Sequence, residues 1–444
     1  MNEYFGFMNE IGMNEKCMFH GRNGCMMKVF PCEGTYLYEA CYNHLVPDFQ
    51  LVQDREIEGN MFAEFYNKYI VTLLYTPCEN ELRVTVSESD SIPHTLPEPC
   101  TGETGTTFFA FENDHTIIDC GMCLLVQCPD NSFFVVDSGH YFQFNDNDRL
   151  HRFMRERTPE DQKIVINGWF ITHAHTDHIC KLIDFLEYNT DDVMIEGFYH
   201  NLLSSDHADH EDNHEEGEIS DRLFKALDDY NAPVYILHTG MRFYIRNLCF
   251  DVLSTHEDIT PEHIADYNDS SAVLKMTAEG SSVLITGDAA VLASERLERR
   301  FPETLKSDVV QIAHHGHTGL SAHCYELISA DTAVFPVTRI MFEADMKRMP
   351  ADIKAVEIAG QHFVTGDGTV CIPLPYDRKT VYKLPDETVE DFEKIKRIWR
   401  YVYPKEYKDY IYDTFLKNGG SPEKLVLPSS RYGWIEPKPK IDED

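Results

Sequence analysis

The chain has 444 residues, 43% of them hydrophobic, which exceeds one typical domain and supplies enough apolar material for packed cores. Its 75 acidic residues outnumber 39 basic ones for a formal charge of −36, so polyphosphate and anionic lipid are repelled at long range, and nucleic acid and membrane are not the expected partners. A phosphate ester held at a metal stays open. No run reaches the ~18 apolar residues of a membrane helix, and the opening MNEYFGFMNEIG lacks the basic flank and apolar core of a secretion signal, so a cytoplasmic location is expected. The thirteen cysteines are odd in number and scattered, as reduced thiols are. Cys120 and Cys123 have C-x-x-C spacing but stand in the strand-like run DCGMCLLVQC, which points to core cysteines.

Residues 1–105 are expected to form an N-terminal α+β domain. The runs GTYLYEACYN, KYIVTLLYT and ELRVTVSES have the aromatic and β-branched content of strands, and SDSIPHTLPEPCTGETGTT, rich in Pro, Gly, Ser and Thr, is expected to be a linker. From about 106 to 375 short apolar strands alternate with helical stretches. GMCLLVQC and SFFVVDSG flank the turn PDN as a hairpin, KIVINGWFIT is a further strand, and Ile179, Leu182, Ile183 and Leu186 recur at helical spacing. PVYILH, RFYIRNLCFDVLS, SAVLKMT, SVLITGD, DVVQIAHH and TAVFPVT read as strands, giving an α/β layered domain with polar residues at strand ends. Residues 376–444 are expected to be a helical extension, with Ile395, Ile398, Trp399 and Val402 on one face and a frayed tail EPKPKIDED. The acidic run DHADHEDNHEEGE, residues 206–218, suits a solvated loop, with a lid as the functional alternative.

The chemistry concentrates in FITHAHTDHI, residues 170–179. His173 and His175 are two apart at a strand end and point the same way, while Asp177 and His178 fall where the chain turns into a helix. Imidazole and carboxylate without thiolate suit Zn, Mn or Fe. Two more strand ends add ligand types: SVLITGDAA ends in Asp288, and VVQIAHHGHTG carries His314 and His315 before a glycine. No phosphate-binding GxxxxGK[ST] loop and no GxSxG elbow occurs.

H-x-H-x-D-H after a strand, preceded by a strand ending in Asp137, Ser138 and Gly139, resembles the metallo-β-lactamase-fold hydrolase superfamily. The ordered pieces NDSSAVLKM, SVLITGDAA, VVQIAHHGHTG and HFVTGDGTVCI resemble, within it, the soluble hydrolase domain of the ComEC competence-protein group and its stand-alone relatives. The resemblance spans about residues 115–373 and implies an αββα sandwich holding two divalent transition-metal ions, zinc first, with manganese or iron as alternatives. It implies that His173 and His175 bind one metal, that Asp177 and His178 bind the second, that Asp288 bridges, and that one histidine of the HHG pair completes the set. His314 is favoured there, with His315 behind it and Asp137 orienting ligands from below. Asn268 and Asp269 stand where the superfamily often has another histidine. Two positions depart from the pattern: ICK replaces the usual Gly-Gly after the D-H step, and His317 replaces the usual serine, where it could bind phosphate-like groups or an extra metal or could simply be solvated.

The resemblance thus implies hydrolysis of a phosphodiester or related small ester by a metal-bound hydroxide, with Asp177 orienting or accepting the proton. The rivals are a ComEC-like nuclease, which the acidic charge discourages, and a binding or scaffold protein that keeps the fold while its N-terminal region engages a protein partner.

Overall fold

In the computed structural model the described residues are 17–20, 25–89, 100, 102, 104–115, 120–143, 145–205, 214–259 and 267–387. The expected linker core, residues 206–213 of the acidic run and the helical extension beyond 387 lie outside them. Among the described residues no helix is long and apolar enough to cross a membrane.

Those residues form three sheets. The first is antiparallel, with β1 (Cys17–His20), β2 (Met26–Pro31), β3 (Gln50–Ile57), β4 (Asn60–Asn67), β5 (Tyr69–Thr76) and β6 (Glu81–Ser87) in the order β1-β2-β6-β5-β4-β3. GTYLYEACYN, expected as a strand, is instead helix α1 (Tyr36–Leu45). Its buried residues Leu37, Tyr38, Cys41 and Leu45 recur every three to four positions, and that period outweighs the aromatic content. Alternation in β4 and β5 sends Ala63, Phe65, Val71 and Leu73 into the core under α1, while Phe62, Ile70 and Leu74 join the core of the following domain. The near-continuous apolar run of β5 follows from burial on both faces.

The second sheet contains β7 (Thr107–Ala110), β8 (Cys123–Gln127), β9 (Phe133–Asp137), β10 (Ile164–Ile171), β11 (Val193–Ile195), β12 (Phe198–His200) and β13 (Val234–Ile236). The third contains β14 (Arg242–Ile245), β15 (Leu248–Ser254), β16 (Val273–Ala278), β17 (Ser281–Ile285), β18 (Val309–Gln311), β19 (Thr332–Phe335) and β20 (Gln361–Val364) in sequence order. The chain then returns through β21 (Val370–Pro373) and β22 (Tyr382–Lys383) to the edge of the second sheet beside β7. RFYIRNLCFDVLS, expected as one strand, is the hairpin β14/β15, because Arg246 turns the chain at φ 53°.

Phe134, Val136 and Phe170 face Phe250, Leu274, Val283 and Val334 across a shared core, so the second and third sheets pack face to face. On the opposite face of the second sheet, Phe133, Val135, Trp169 and Ile171 are covered by α2 (Asp146–Arg155), α3 (Thr176–Tyr188) and α4 (His214–Tyr230). Leu284, Val310 and Ala333 of the third sheet are covered by α5 (Val291–Arg300), α6 (Ala322–Ile328), α7 (Arg339–Asp345) and α8 (Pro350–Ile358). The result is an αββα sandwich. Parallel pairing of β9, β10, β12 and β13 in one sheet, and of β17 to β20 in the other, brings their C-terminal ends to one rim.

The first sheet is stitched to this sandwich by buried polar groups. Arg83 pairs with Asp258 at 2.6 Å and Arg55 with Asp251 at 2.7 Å, while Asn60 donates to the Arg300 carbonyl at 2.8 Å. Glu79 meets Arg296 at 2.7 Å and Arg300 as well, and Arg300 also pairs with Asp258.

Candidate metal centre

Asp137 closes β9 with φ at 52°, a left-handed conformation that a non-glycine residue holds only when its surroundings fix it. Its carboxylate accepts from the Thr172 backbone at 2.8 Å, from Thr172 Oγ1 at 2.7 Å and from His178 Nδ1 at 2.7 Å. The third bond leaves His178 Nε2 facing the rim. Thr172 Oγ1, already donating to Asp137, accepts from His173 Nδ1 at 3.1 Å, which leaves the Nε2 lone pair of His173 available. The turn after β9 is also tied to the first turn of α3: Ser138 Oγ donates to the His178 carbonyl at 2.7 Å, and the Lys181 N–H to the Gly139 carbonyl at 3.3 Å.

Asp288 arrives from β17 through Gly287, whose φ is +53°. A Cβ on Gly287 would lie 2.9 Å from Thr172 Cβ, so the two strand ends approach this closely only without a side chain there.

One ligand atom from each of Asp177, His178, Asp288 and His315 lies within 4.8 Å of all the others. His178 Nε2 is 3.1 Å from Asp288 Oδ2 and 3.8 Å from Asp177 Oδ2; His315 Nε2 is 3.0 Å from Asp177 Oδ2 and 3.4 Å from Asp288 Oδ2. His173 Nε2 lies 3.9 Å from Asp288 Oδ2 and 3.1 Å from His175 Nδ1, so the HxH pair borders the same carboxylate.

Of the HHG pair, where the sequence favours His314, the structure brings His315 into the cluster. Both residues have left-handed backbone, with φ of 51° and 56°, and this double turn reverses which imidazole points inward. His315 is buried, its Nδ1 donating to the Pro336 carbonyl at 2.8 Å, whereas His314 is part-exposed beside the Thr318 carbonyl and Asn268. Asn268 Nδ2 is 3.4 Å from His314 Nε2. Asp269 caps α5 by accepting from the N–H groups of Ala290 and Ala293, both at 3.2 Å. His317 pairs through Nδ1 with Asp345 at 2.9 Å.

Electrostatics separate the imidazoles. Burial, reinforced by His178 and His175, pushes His173 well below the usual range and keeps it neutral. For His178 burial acts in the same direction but is outweighed by Asp288, Asp177 and Asp137, which raise it well above that range. His315, buried against Asp288 and Asp177, is pushed up to about 10. Asp177 and Asp288 are held low despite burial by His178 and His315. Protons on two imidazoles thus offset the carboxylates of Asp177 and Asp288, a task that a cation would take over.

The residues fit a divalent transition metal. The donors are imidazole and carboxylate without thiolate. Asp288 Oδ1 and His178 Nε2 are buried and make no hydrogen bond, a costly condition that a cation relieves.

Sequence reasoning missed Glu216. The acidic run was expected to be solvated, yet its described part, from His214 on, opens α4, and Glu216 is buried. Its carboxylate accepts from the Thr176 N–H at 2.8 Å and Thr176 Oγ1 at 3.0 Å, capping the helix that carries Asp177 and His178. The apolar Ile219 and Leu223 that follow at four-residue spacing were the available signal.

The model of the Metallo-beta-lactamase superfamily matches residues 106–322. No curated protein matches. Similar solved structures include the metallo-beta-lactamase fold protein YhfI from Bacillus subtilis, 11% identical, covering 58% of this chain and 95% of that one with a TM-score of 0.37. A diphosphatase from the PhnP family is 16% identical over 64% of this chain and 100% of its own, with a TM-score of 0.34. The short form of human tRNase Z is 10% identical over 51% and 91%, with a TM-score of 0.31. Layer order and the rim of histidines and aspartates agree with the family match: residues 106–322 carry a metallo-beta-lactamase superfamily domain.

Proposed function

We propose that the protein is a dinuclear metal-dependent hydrolase of a phosphodiester or related small ester. The observation that carries this reading is the Asp177, His178, Asp288 and His315 cluster, with its buried unbonded Asp288 Oδ1 and His173 of the HxH pair 3.9 Å from the same carboxylate. His173 and His175 would hold one cation, Asp177, His178 and His315 the other, and Asp288 would serve both. Divalent cations bound there supply Lewis acidity and a water that ionises near neutral pH.

The chain's own residues do the rest. Asp137 and Thr172 fix the ring orientations of His178 and His173. Asp177, whose side chain keeps 16% exposure while those of Asp288 and His315 keep 2% and 1%, is the carboxylate that meets solvent and orients or accepts the proton. The charge of −36 favours a small ester over a long polyanion, against the nuclease reading. The order of the motifs supports a place near the ComEC-type branch, and imidazole and carboxylate donors without thiolate support zinc as the first metal with manganese or iron next.

The test is metal content by plasma mass spectrometry, beside an Asp177→Ala, Asp288→Ala double variant. Close to two transition-metal ions per chain, lost in the double variant, is expected, followed by turnover in a panel of phosphodiesters, phosphomonoesters and lactones. Near-zero metal that zinc or manganese cannot restore would sink the reading and favour a binding protein that retains the fold.

A further inference from the structure

The histidine directly after the strand-end turn of β9 has a place that none of the roles above uses. His140 follows Gly139, whose carbonyl accepts from the Lys181 N–H, and Ser138, whose hydroxyl reaches the His178 carbonyl, so its backbone is pinned to the first turn of α3. Its own N–H donates to Gln143 Oε1 at 2.7 Å. Its Nδ1 accepts the Phe142 N–H at 3.0 Å, which leaves the ring proton on Nε2. Stacking fixes the ring plane, with the Phe142 ring 5.1 Å away at 29° and the Tyr141 ring at 4.1 Å. The side chain is 7% exposed, and among the described residues Nε2 has no hydrogen-bond partner.

From this geometry we infer that His140 contacts substrate, its Nε2–H donating to a non-bridging oxygen of a monoanionic phosphodiester held at the metal centre. The inference rests on the hydrolytic reading for the identity of the substrate but not for the existence of the donor. Three further observations bear on the substrate class. Asp137, Ser138 and Gly139, the three residues before it, are bonded to His178 Nδ1, the His178 carbonyl and the Lys181 N–H, so His140 leaves the β9 turn beside the helix start that carries Asp177 and His178. Burial, which outweighs the pull of Asp177, pushes it down to about 3, so it offers a neutral N–H over the working pH range. Lys181, the cation of the same helix turn, is neutralised by buried Asp184. A fixed neutral donor suits one negative charge spread over two oxygens, and placing it in advance avoids reorganisation when the ester binds.

The experiment is calorimetric titration of metal-loaded protein with dimethyl phosphate, a singly charged diester that resists hydrolysis. His140→Phe keeps an aromatic ring in the stack and removes the donor together with the acceptor of the Phe142 N–H; His140→Gln retains an amide N–H and a carbonyl acceptor. The expected result is binding by the parent, weakened about tenfold or more in His140→Phe, as befits loss of a hydrogen bond to a charged group, and partly recovered in His140→Gln. Metal content stays at the parent's value in both, while the melting temperature of His140→Phe falls with the loss of the Phe142 N–H acceptor. Equal binding by parent and His140→Phe overturns the inference, as does a parent that does not bind dimethyl phosphate. Loss of metal in both variants overturns it too, since the imidazole would then be holding the cation. Turnover of bis(p-nitrophenyl) phosphate by the parent is measured separately: its absence alongside His140-dependent binding counts against hydrolysis and leaves the donor role standing.

Discussion

Asp137 shows how much of a metal site is decided by a residue that would not touch the metal. Three hydrogen bonds converge on one fully buried carboxylate, and two of them set ring orientation at His173 and His178, directly or through Thr172. Asp137→Asn removes the charge and one acceptor position, and should lower metal affinity by about 10- to 100-fold. Competition against a chromophoric chelator reads this directly; unchanged affinity would show that the rings are fixed by packing alone. Asp352 behaves differently. Its carboxyl is 2% exposed, Oδ2 has no hydrogen-bond partner, and burial, with the Asp345 charge adding to it, pushes it up to about 8. In the unfolded chain the group ionises near 3.9. Between about pH 4 and pH 8 unfolding therefore releases a proton from this group, and its contribution to stability falls as the pH rises, levelling off above 8. Asp352→Asn, neutral throughout, should melt above the parent at pH 8 and converge with it near pH 4. A constant gap across that range in scanning calorimetry would rule the explanation out.

At the level of elements, what was legible followed from period and order. Apolar runs that end in Asp137, His173, Asp288 and the HHG pair are strands, and their polar ends do gather on one rim. The HxHxDH spacing sufficed for a strand-to-helix corner because two-residue alternation and the first helical turn are local properties. Illegible features depended on backbone handedness or on distant chain. The choice of His315 over His314 turns on two consecutive left-handed residues, and Glu216 reaches Thr176 across 40 positions. Helix α1 was misread because Tyr and Thr suit strands in isolation, while the burial of Leu37, Cys41 and Leu45 on one side decides in the fold. Glu216 carries a prediction at this scale. Its removal in Glu216→Ala uncaps α3, with a cost of about 0.5–2 kcal/mol, and Glu216→Gln, which keeps an acceptor, should recover most of it in urea titration. Equal losses in the two variants would mean that charge, and not capping, is what the helix start requires.

Across the molecule, the first sheet and the sandwich are bound by charges that neither could bury alone. Asp258 is fully enclosed between Arg83 of the first sheet and Arg300 of α5, and Glu79 sits among Arg296, Arg299 and Arg300. Burial by itself would raise Glu79, but Arg300 and Arg296 bring it down to about 2. A depressed carboxylate contributes stability above its unfolded value, near 4.3, that is lost as the pH falls through the folded one. Glu79→Gln should therefore destabilise the protein at pH 6 and converge with the parent as the pH approaches 2. Because Phe62, Ile70 and Leu74 also belong to the core shared by the other two sheets, scanning calorimetry should show one transition spanning all three. Two resolved transitions would contradict that coupling.

The seam at Asp258 has a practical side. The turn of residues 256–258 packs on the turn of residues 267–270, where Tyr267 lies 5.0 Å from the His175 ring. An expression fragment started at residue 106, the obvious choice from where the second sheet begins, would leave Asp258 with a lone guanidinium and bare an apolar floor that Phe62, Ile70 and Leu74 now roof. Its poor behaviour would be misread as a weak enzyme, when the fault lay in where the gene was trimmed.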